Sequence, residues 1–332
     1  MSRDLKAELM VKIQDDLGRI ENSLGKNLNA NLDLARKIAG HLLFSNGKRL
    51  RPLLMINSAK MCGYHERGES ARSLIDFSIV FEYLHAATLL HDDVIDEADM
   101  RRGAKAAHKV WPVPEVILTG DFLLARSLSI TAETQNLEIV STIARITEEM
   151  SQGEIDQLNQ KGRLDLSEED YLSIIRRKTA VLIEGACKCG ALLANALKEK
   201  TDALLNYGHN LGMAFQMADD LLDYTADAKA LGKNLGADLR EGKLTLPLIK
   251  TLQRADKKDK AIIKNVFENP EFTKKEFDEL VLMIHKYKGV SHTQKKAMEH
   301  VVNAKTFLEI FEPSEQKDLL TMLADYSVTR KV

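Results

Sequence analysis

Two stretches of this chain are apolar around their whole circumference, and both carry the same acidic pattern. Leu74 to Ile95 and Leu204 to Tyr224 have the composition of helices with no polar face. Such helices are expected at the centre of a bundle, with the remaining periodic segments forming an outer layer. Asp92, Asp93 and Asp96 close the first; Asp219, Asp220 and Asp223 lie in the second. The spacing i, i+1, i+4 puts the first and last carboxylates of each run on one helix face, a turn apart. Like charges that close repel by about 4 kcal/mol per pair at an effective dielectric near 20. One such run can decorate an exposed helix. Two of them in the most apolar helices of the chain call for a hard divalent cation, and magnesium binds carboxylates while sharing itself with substrate phosphates. No histidine-rich constellation accompanies the acids, so transition metals fit less well.

The rest of the sequence reads as all-α. Leu5, Leu9, Ile13, Leu17 and Ile20 form one stripe of an amphipathic helix. Alternating β-branched runs with Asn-Gly or Asp-Gly turns do not appear, and no linker divides the chain. One domain over residues 1–332 is expected, with 160–169 a surface connection. Hydrophobic residues at 44% supply a sizeable core, and 29% charged residues a solvated surface. Lys+Arg 47 against Asp+Glu 49 gives a net charge of −2, which argues against a nucleic-acid-coating protein. Three cysteines (Cys62, Cys187, Cys189) cannot build a disulfide framework, which fits a reducing cytoplasm. The charged N-terminus lacks a signal-peptide core. Ala180 to Leu197 is interrupted by Glu184 and Lys188, so no transmembrane segment is expected.

Cations recur where anions are needed. Gly47-Lys48-Arg49-Leu50-Arg51-Pro52 sets three positive charges just before an expected helix start, where only an anion such as phosphate makes them favourable. Arg101-Arg102-Gly103 follows the first acidic run; taken alone, it also suits the end of a helix. A basic loop from Gly232-Lys233 to Gly242-Lys243 follows the second run. Metal plus lysine and arginine is what a diphosphate requires. No GxxxxGK[ST] loop is present, so a nucleoside triphosphate is not the natural ligand.

Taken together, these motifs resemble the trans-isoprenyl diphosphate synthases of the polyprenyl synthetase family. The match continues through Leu89-Leu90-His91-Asp92-Asp93, Gly120-Asp121, Gly153-Glu154, Lys178-Thr179 and the run from Phe215 to Asp223. It covers most of the chain in the family's order. The resemblance implies an all-helical bundle, usually a homodimer, that joins isopentenyl diphosphate to an allylic diphosphate with three magnesium ions per active site. It implies that Asp92 and Asp96 hold magnesium with Asp93 supporting, and that Asp219, with Asp220 and Asp223 near it, holds a further ion. Arg101, Lys178 and Lys233 then meet the allylic diphosphate, with Lys243 a looser assignment beside them. Lys48, Arg51, His85 and Arg102 bind isopentenyl diphosphate. Thr179 and Gln216 lie beside the reacting carbons. Product release allows a transient membrane contact.

Product length is expected to follow the residues before Asp92. In the family, bulky aromatics one turn before the first aspartate make short products; here Ala87 and Thr88 are small, with Leu84 and then Phe81 deeper. With the compact DDxxD, this resembles the medium- and long-chain enzymes, octaprenyl synthases most closely, which supply quinone side chains. Products of roughly seven to ten units are expected, one unit matching a helical turn, with Phe81 as the floor. Alternatives are a farnesyl or geranylgeranyl synthase, a terpene cyclase, or a non-catalytic subunit of a heteromeric synthase. A cyclase has no use for Lys48, Arg51, His85 and Arg102. His91 reads as a supporting histidine, and Glu82-x-x-His85 as one copy of a di-iron pattern that needs two.

Overall fold

The computed structural model describes residues 2–28, 32–45, 47–65, 69–225 and 236–329. Helices α1 (Ser2–Asn27), α2 (Asp33–Leu43), α3 (Leu50–Met61), α4 (Glu69–Ser78) and α5 (Val80–Ile95) come first. A small hairpin follows, β1 (Met100–Arg101) and β2 (Ala104–Lys105), then α6 (Val113–Glu133), α7 (Leu137–Gln160) and α8 (Glu168–Ile175). A π-helical turn, Arg176–Ala180, joins α8 to α9 (Val181–Leu193), and α10 (Lys198–Thr225) is the longest helix described. The chain ends with α11 (Ala237–Arg240), α12 (Leu246–Arg254), α13 (Lys257–Phe267), α14 (Lys274–Lys286), α15 (Gly289–Phe307) and α16 (Glu315–Thr329). The all-α expectation holds.

The α1 stripe buries Leu9, Ile13 and Ile20. Both apolar segments are central: α5 is buried continuously from Val80 to Leu84, and α10 packs against α9 and α15. The N-terminal half of α10 joins the larger core through Leu204, Tyr207 and Leu211, and its C-terminal half joins a second core through Met217, Leu221 and Tyr224.

Three expectations need correction. The first apolar segment is not one helix, because it breaks at Ile79 between α4 and α5. Ser78 Oγ donates to the Ile75 carbonyl at 2.7 Å, offering the backbone oxygen a partner outside the helical ladder. The outer layer also does not take all the other helices, since α3 is buried from Pro52 to Ala59 and α9 from Val181 to Cys187. Their polar residues find partners inside: Asn57 donates to the Leu53 carbonyl at 2.8 Å, and Glu184 meets His209 at 2.7 Å. Gly190 lets α3 and α9 touch, since a Cβ there would lie 2.4 Å from the Met55 carbonyl oxygen. Finally, Arg101-Arg102-Gly103 is a hairpin rather than a helix end. Arg102 (φ 52°) and Gly103 (φ 82°) form its two-residue turn, both with the positive φ such turns need.

Among the described residues, no helix is long and apolar enough to cross a membrane. The connection expected over 160–169 is shorter: residues 161–167 join α7 to α8, because Ser167 caps α8 and starts it at Glu168.

Candidate active site

The last turn of α5 presents Asp92, and Asp96 ends the helix with its N–H on the Asp92 carbonyl at 2.8 Å. Burial pushes the Asp92 carboxyl up to about 6; Lys178 opposes this, while Glu154 and Asp96 add to it. Asp96 Oδ2 accepts from Lys243 Nζ at 2.9 Å, whereas its Oδ1 is buried with no hydrogen-bond partner. Asp93 lies on the opposite side of the turn, 1% exposed, and takes two bonds from Arg101, that from Nε at 2.7 Å. The expected supporting role of Asp93 thus takes the form of an anchor for the hairpin arginine.

On α10 the three aspartates do three different things. Asp219 lies close enough to Arg51 for each to feel the other's charge. Asp220 is buried and accepts from Tyr171 Oη at 2.6 Å and from Gln216 Nε2 at 2.8 Å. Burial pushes Asp220 up to about 6, against those two hydrogen bonds. Asp223 caps α11, accepting from the N–H groups of Gly236, Ala237 and Asp238 at 3.1, 3.0 and 3.2 Å. Asp238 is driven well above the ordinary carboxylate range, by burial first and then by Asp223 and Asp220.

Cations line the same end of the bundle. Lys178, in the π turn, reaches Glu154 at 2.6 Å, Gln157 Oε1 at 2.7 Å and Asp92 at 3.9 Å. Gly153 makes this approach of α7 available: a Cβ there would lie 2.8 Å from the Lys178 nitrogen. Lys243 also meets Glu241 at 2.6 Å; although burial works against its charge, Glu241 and Asp96 hold its ammonium above the ordinary lysine range. Thr179 donates to Gln216 Oε1 at 2.9 Å rather than back to a helix carbonyl. Lys233 lies outside the described residues.

A second cationic group stands beside the first. Arg51 and Arg102 are each lowered, chiefly by burial, and Glu82 offsets this in both. Arg51 Nε is buried without a partner. Burial, then Arg51, Arg102, Arg101 and Arg49 in turn, hold His85 well below the usual histidine range, so its imidazole is neutral. Lys48 is exposed at the rim. Arg49 turns the other way, into the core, and binds Glu21 at 2.6 Å, Glu82 at 3.2 Å and the Leu43 carbonyl. Glu82 is therefore an arginine partner, not half of a di-iron motif. Along α5, Phe81, Leu84 and Ala87 are buried, Thr88 donates to the His85 carbonyl at 2.9 Å, and Phe81 meets Phe77 edge-on at 5.9 Å.

The donor set suits a hard cation. An unpartnered buried carboxylate oxygen on Asp96 and the raised carboxyls of Asp92 and Asp220 mark a place short of positive charge. Among the described residues, no group of three or more His, Cys, Asp or Glu side chains is arranged to hold a metal ion. Arg49, expected with its neighbours to await an anion, is satisfied by Glu21 and Glu82 instead. Sequence reasoning missed Tyr171, Gln157, Asp238 and the π turn. No local pattern marks them, because each acts through a residue distant in the chain.

An all-helical bundle with acidic helix ends and two groups of cations at one end defines an isoprenoid-synthase-type enzyme. Residues 33–284 match the profile of the Polyprenyl synthetase family. The octaprenyl diphosphate synthase of Haemophilus influenzae is 34% identical over 323 residues, 97% of this chain and 96% of its own. The all-trans-nonaprenyl-diphosphate synthase (geranyl-diphosphate specific) of Rhodobacter capsulatus is 31% identical over 99% of both chains. The crystal structure of a Caulobacter crescentus polyprenyl synthase, complexed with calcium and isoprenyl diphosphate, superposes with a TM-score of 0.91 at 34% identity, covering 98% of this chain and 97% of that one. Other relatives carry the names short chain isoprenyl and geranylgeranyl diphosphate synthase. The chain belongs to the polyprenyl synthetase family of trans-isoprenyl diphosphate synthases and is a prenyltransferase.

Proposed function

We propose that the protein condenses isopentenyl diphosphate head-to-tail with geranyl or farnesyl diphosphate, and repeats the step to a medium or long chain such as octaprenyl diphosphate. What supports this reading is a pair of cation-bearing groups at one end of the bundle. One is the carboxylate and lysine group of Asp92, Asp96, Lys178 and Lys243. The other is the half-buried Arg51, Arg102 and His85 group, with Arg51 Nε lacking a hydrogen-bond partner. A cyclase has use for only one.

Asp92, Asp96 and Asp219 are the residues to hold magnesium, which when bound neutralises charge on the departing diphosphate. Lys178 and Lys243, released from Glu154 and Asp96, then meet that diphosphate, and Lys233 shares the task. Arg101 completes this group from the hairpin, where Asp93 fixes its direction. Arg51, Arg102, Lys48 and the neutral His85 bind isopentenyl diphosphate. The Thr179 hydroxyl and the Gln216 carbonyl turn their oxygens toward the allylic carbocation, and apolar walls exclude water that would quench it. The proton lost after carbon–carbon bond formation goes to the released diphosphate, so no side-chain base is needed.

Family membership supports three magnesium ions per site, a homodimer and a product used as a quinone side chain; the free thiols of Cys62, Cys187 and Cys189 support a cytoplasmic setting. A second reading, a geranylgeranyl-length product, is favoured by one distance. Phe81 lies eleven residues before Asp92, about 16 Å along the helix, which is three turns rather than seven. A longer tail has to pass Phe81. Incubation with magnesium, labelled isopentenyl diphosphate and geranyl or farnesyl diphosphate, followed by product sizing, separates the two. No magnesium-dependent incorporation at all would overturn both.

A further inference from the structure

One member of the hydrogen-bond series that ends at Thr179 has no part in the reading above. Tyr171 on α8 donates to Asp220 Oδ2 at 2.6 Å; Gln216 Nε2 donates to Asp220 Oδ1 at 2.8 Å; Thr179 Oγ1 donates to Gln216 Oε1 at 2.9 Å. Tyr171 is 3% and Asp220 4% exposed. Gln216 and Asp220 are one turn apart on α10, while Tyr171 and Thr179 belong to the continuous run of α8 and the π turn. Eight residues of regular α-helix would set Tyr171 and Thr179 about 80° apart. The wide i→i+5 turn advances fewer degrees per residue and brings both toward α10.

The polarity of the Gln216 amide follows. Its oxygen and nitrogen ends are nearly equal in shape, so its neighbours decide which way it points. A carboxylate only accepts, so the NH2 end must face Asp220 and the carbonyl must face Thr179. Reversed, the amide would turn N–H groups, the positive end of its dipole, toward the reacting carbons. We propose that Tyr171 is a positioning residue for prenyl transfer: its hydroxyl anchors Asp220, which fixes Gln216 with the carbonyl toward Thr179 and the reacting carbons. This rests on the role given above to Gln216.

A double-mutant cycle on the full chain with magnesium tests it, using Tyr171→Phe, Gln216→Ala and both together. Tyr171→Phe is expected to lower kcat roughly tenfold, with each KM within about twofold, the size of one lost hydrogen bond to a charged group. In the Gln216→Ala background the same change is expected to have no further effect. Tyr171→His, which keeps a ring N–H, is expected to recover part of kcat. Effects that multiply in the double variant, or an unchanged kcat in Tyr171→Phe, overturn the proposal. An unchanged kcat in Gln216→Ala overturns instead the role of Gln216 itself. If Tyr171→Phe lacks a cooperative melt, the cycle run with Tyr171→Gln is read by the same criteria.

Discussion

Replacing Ala87 with Phe is expected to shorten the product, and the helix geometry says by how much. Ala87 lies five residues before Asp92, about 7.5 Å along α5 at 1.5 Å per residue. An extended isoprene unit of four chain bonds spans about 5 Å. A ring at position 87 therefore leaves room for one to two units beyond the reacting one, where Phe81 at about 16 Å leaves about three. The variant is expected to stop near farnesyl diphosphate, whatever the wild-type product. Ala87 is 5% exposed, so the added ring also costs about 1–3 kcal/mol of stability by overpacking. The assay is chromatographic sizing of labelled products, with the thermal midpoint measured alongside. A folded Ala87→Phe enzyme with the wild-type distribution would refute the idea that the depth of position 87 along α5 measures the tail. Phe81→Ala is the companion: longer products identify Phe81 as the floor, and unchanged ones show that the tail already passes it.

Asp92→Ala and Asp219→Ala are each expected to lower turnover at least about a hundredfold with the helical circular dichroism unchanged; retained activity would point to other metal ligands. Arg49→Met removes the arginine that hydrogen-bonds Glu82, 3% exposed, and leaves Arg51 and Arg102 as the nearby cations; it is expected to cost about 2–3 kcal/mol in chemical denaturation, and a loss under about 1 kcal/mol on the same measurement would argue against that contribution. Asp92 and Asp220 have folded pKa values of about 6, raised above the ordinary carboxylate value. Their contribution to the stability of the metal-free protein is therefore full below about pH 4 and is lost as pH rises through about 6. Magnesium binding should run the opposite way, weakening about fivefold between pH 6 and 5 for each such carboxylate that must lose a proton. Calorimetric titrations at the two pH values check this, and a pH-independent affinity would contradict it.

The helical architecture and the acidic ends were legible because both are local: an apolar circumference and an i, i+1, i+4 spacing are read within a few turns. The exceptions were also physical. The apolar criterion assigns every helix but two to the outer layer by default, and the sequence does not reveal that Asn57 and Glu184 find partners in Leu53 and His209. The Ile79 break has no counterpart in the apolar pattern, which runs through it. Within the acidic runs, spacing placed Asp92 and Asp96 together correctly. It could not distinguish Asp220, held by Tyr171, or Asp223, spent on capping α11, from Asp219. Arg49 and Arg51 are two letters apart in one basic cluster, yet Arg49 (φ 50°) is tied into the core by Glu21 and Glu82 while Arg51 stands with Arg102 and His85.

A crystal structure with magnesium and an unreactive thiolo analogue of the allylic diphosphate tests the central claim most directly. The account predicts metal density joining Asp92 and Asp96 on one side and Asp219 on the other through the diphosphate oxygens, with Lys243 moved off Asp96. Analogue bound with Lys243 still on Asp96, and no ion touching either helix end, would contradict it.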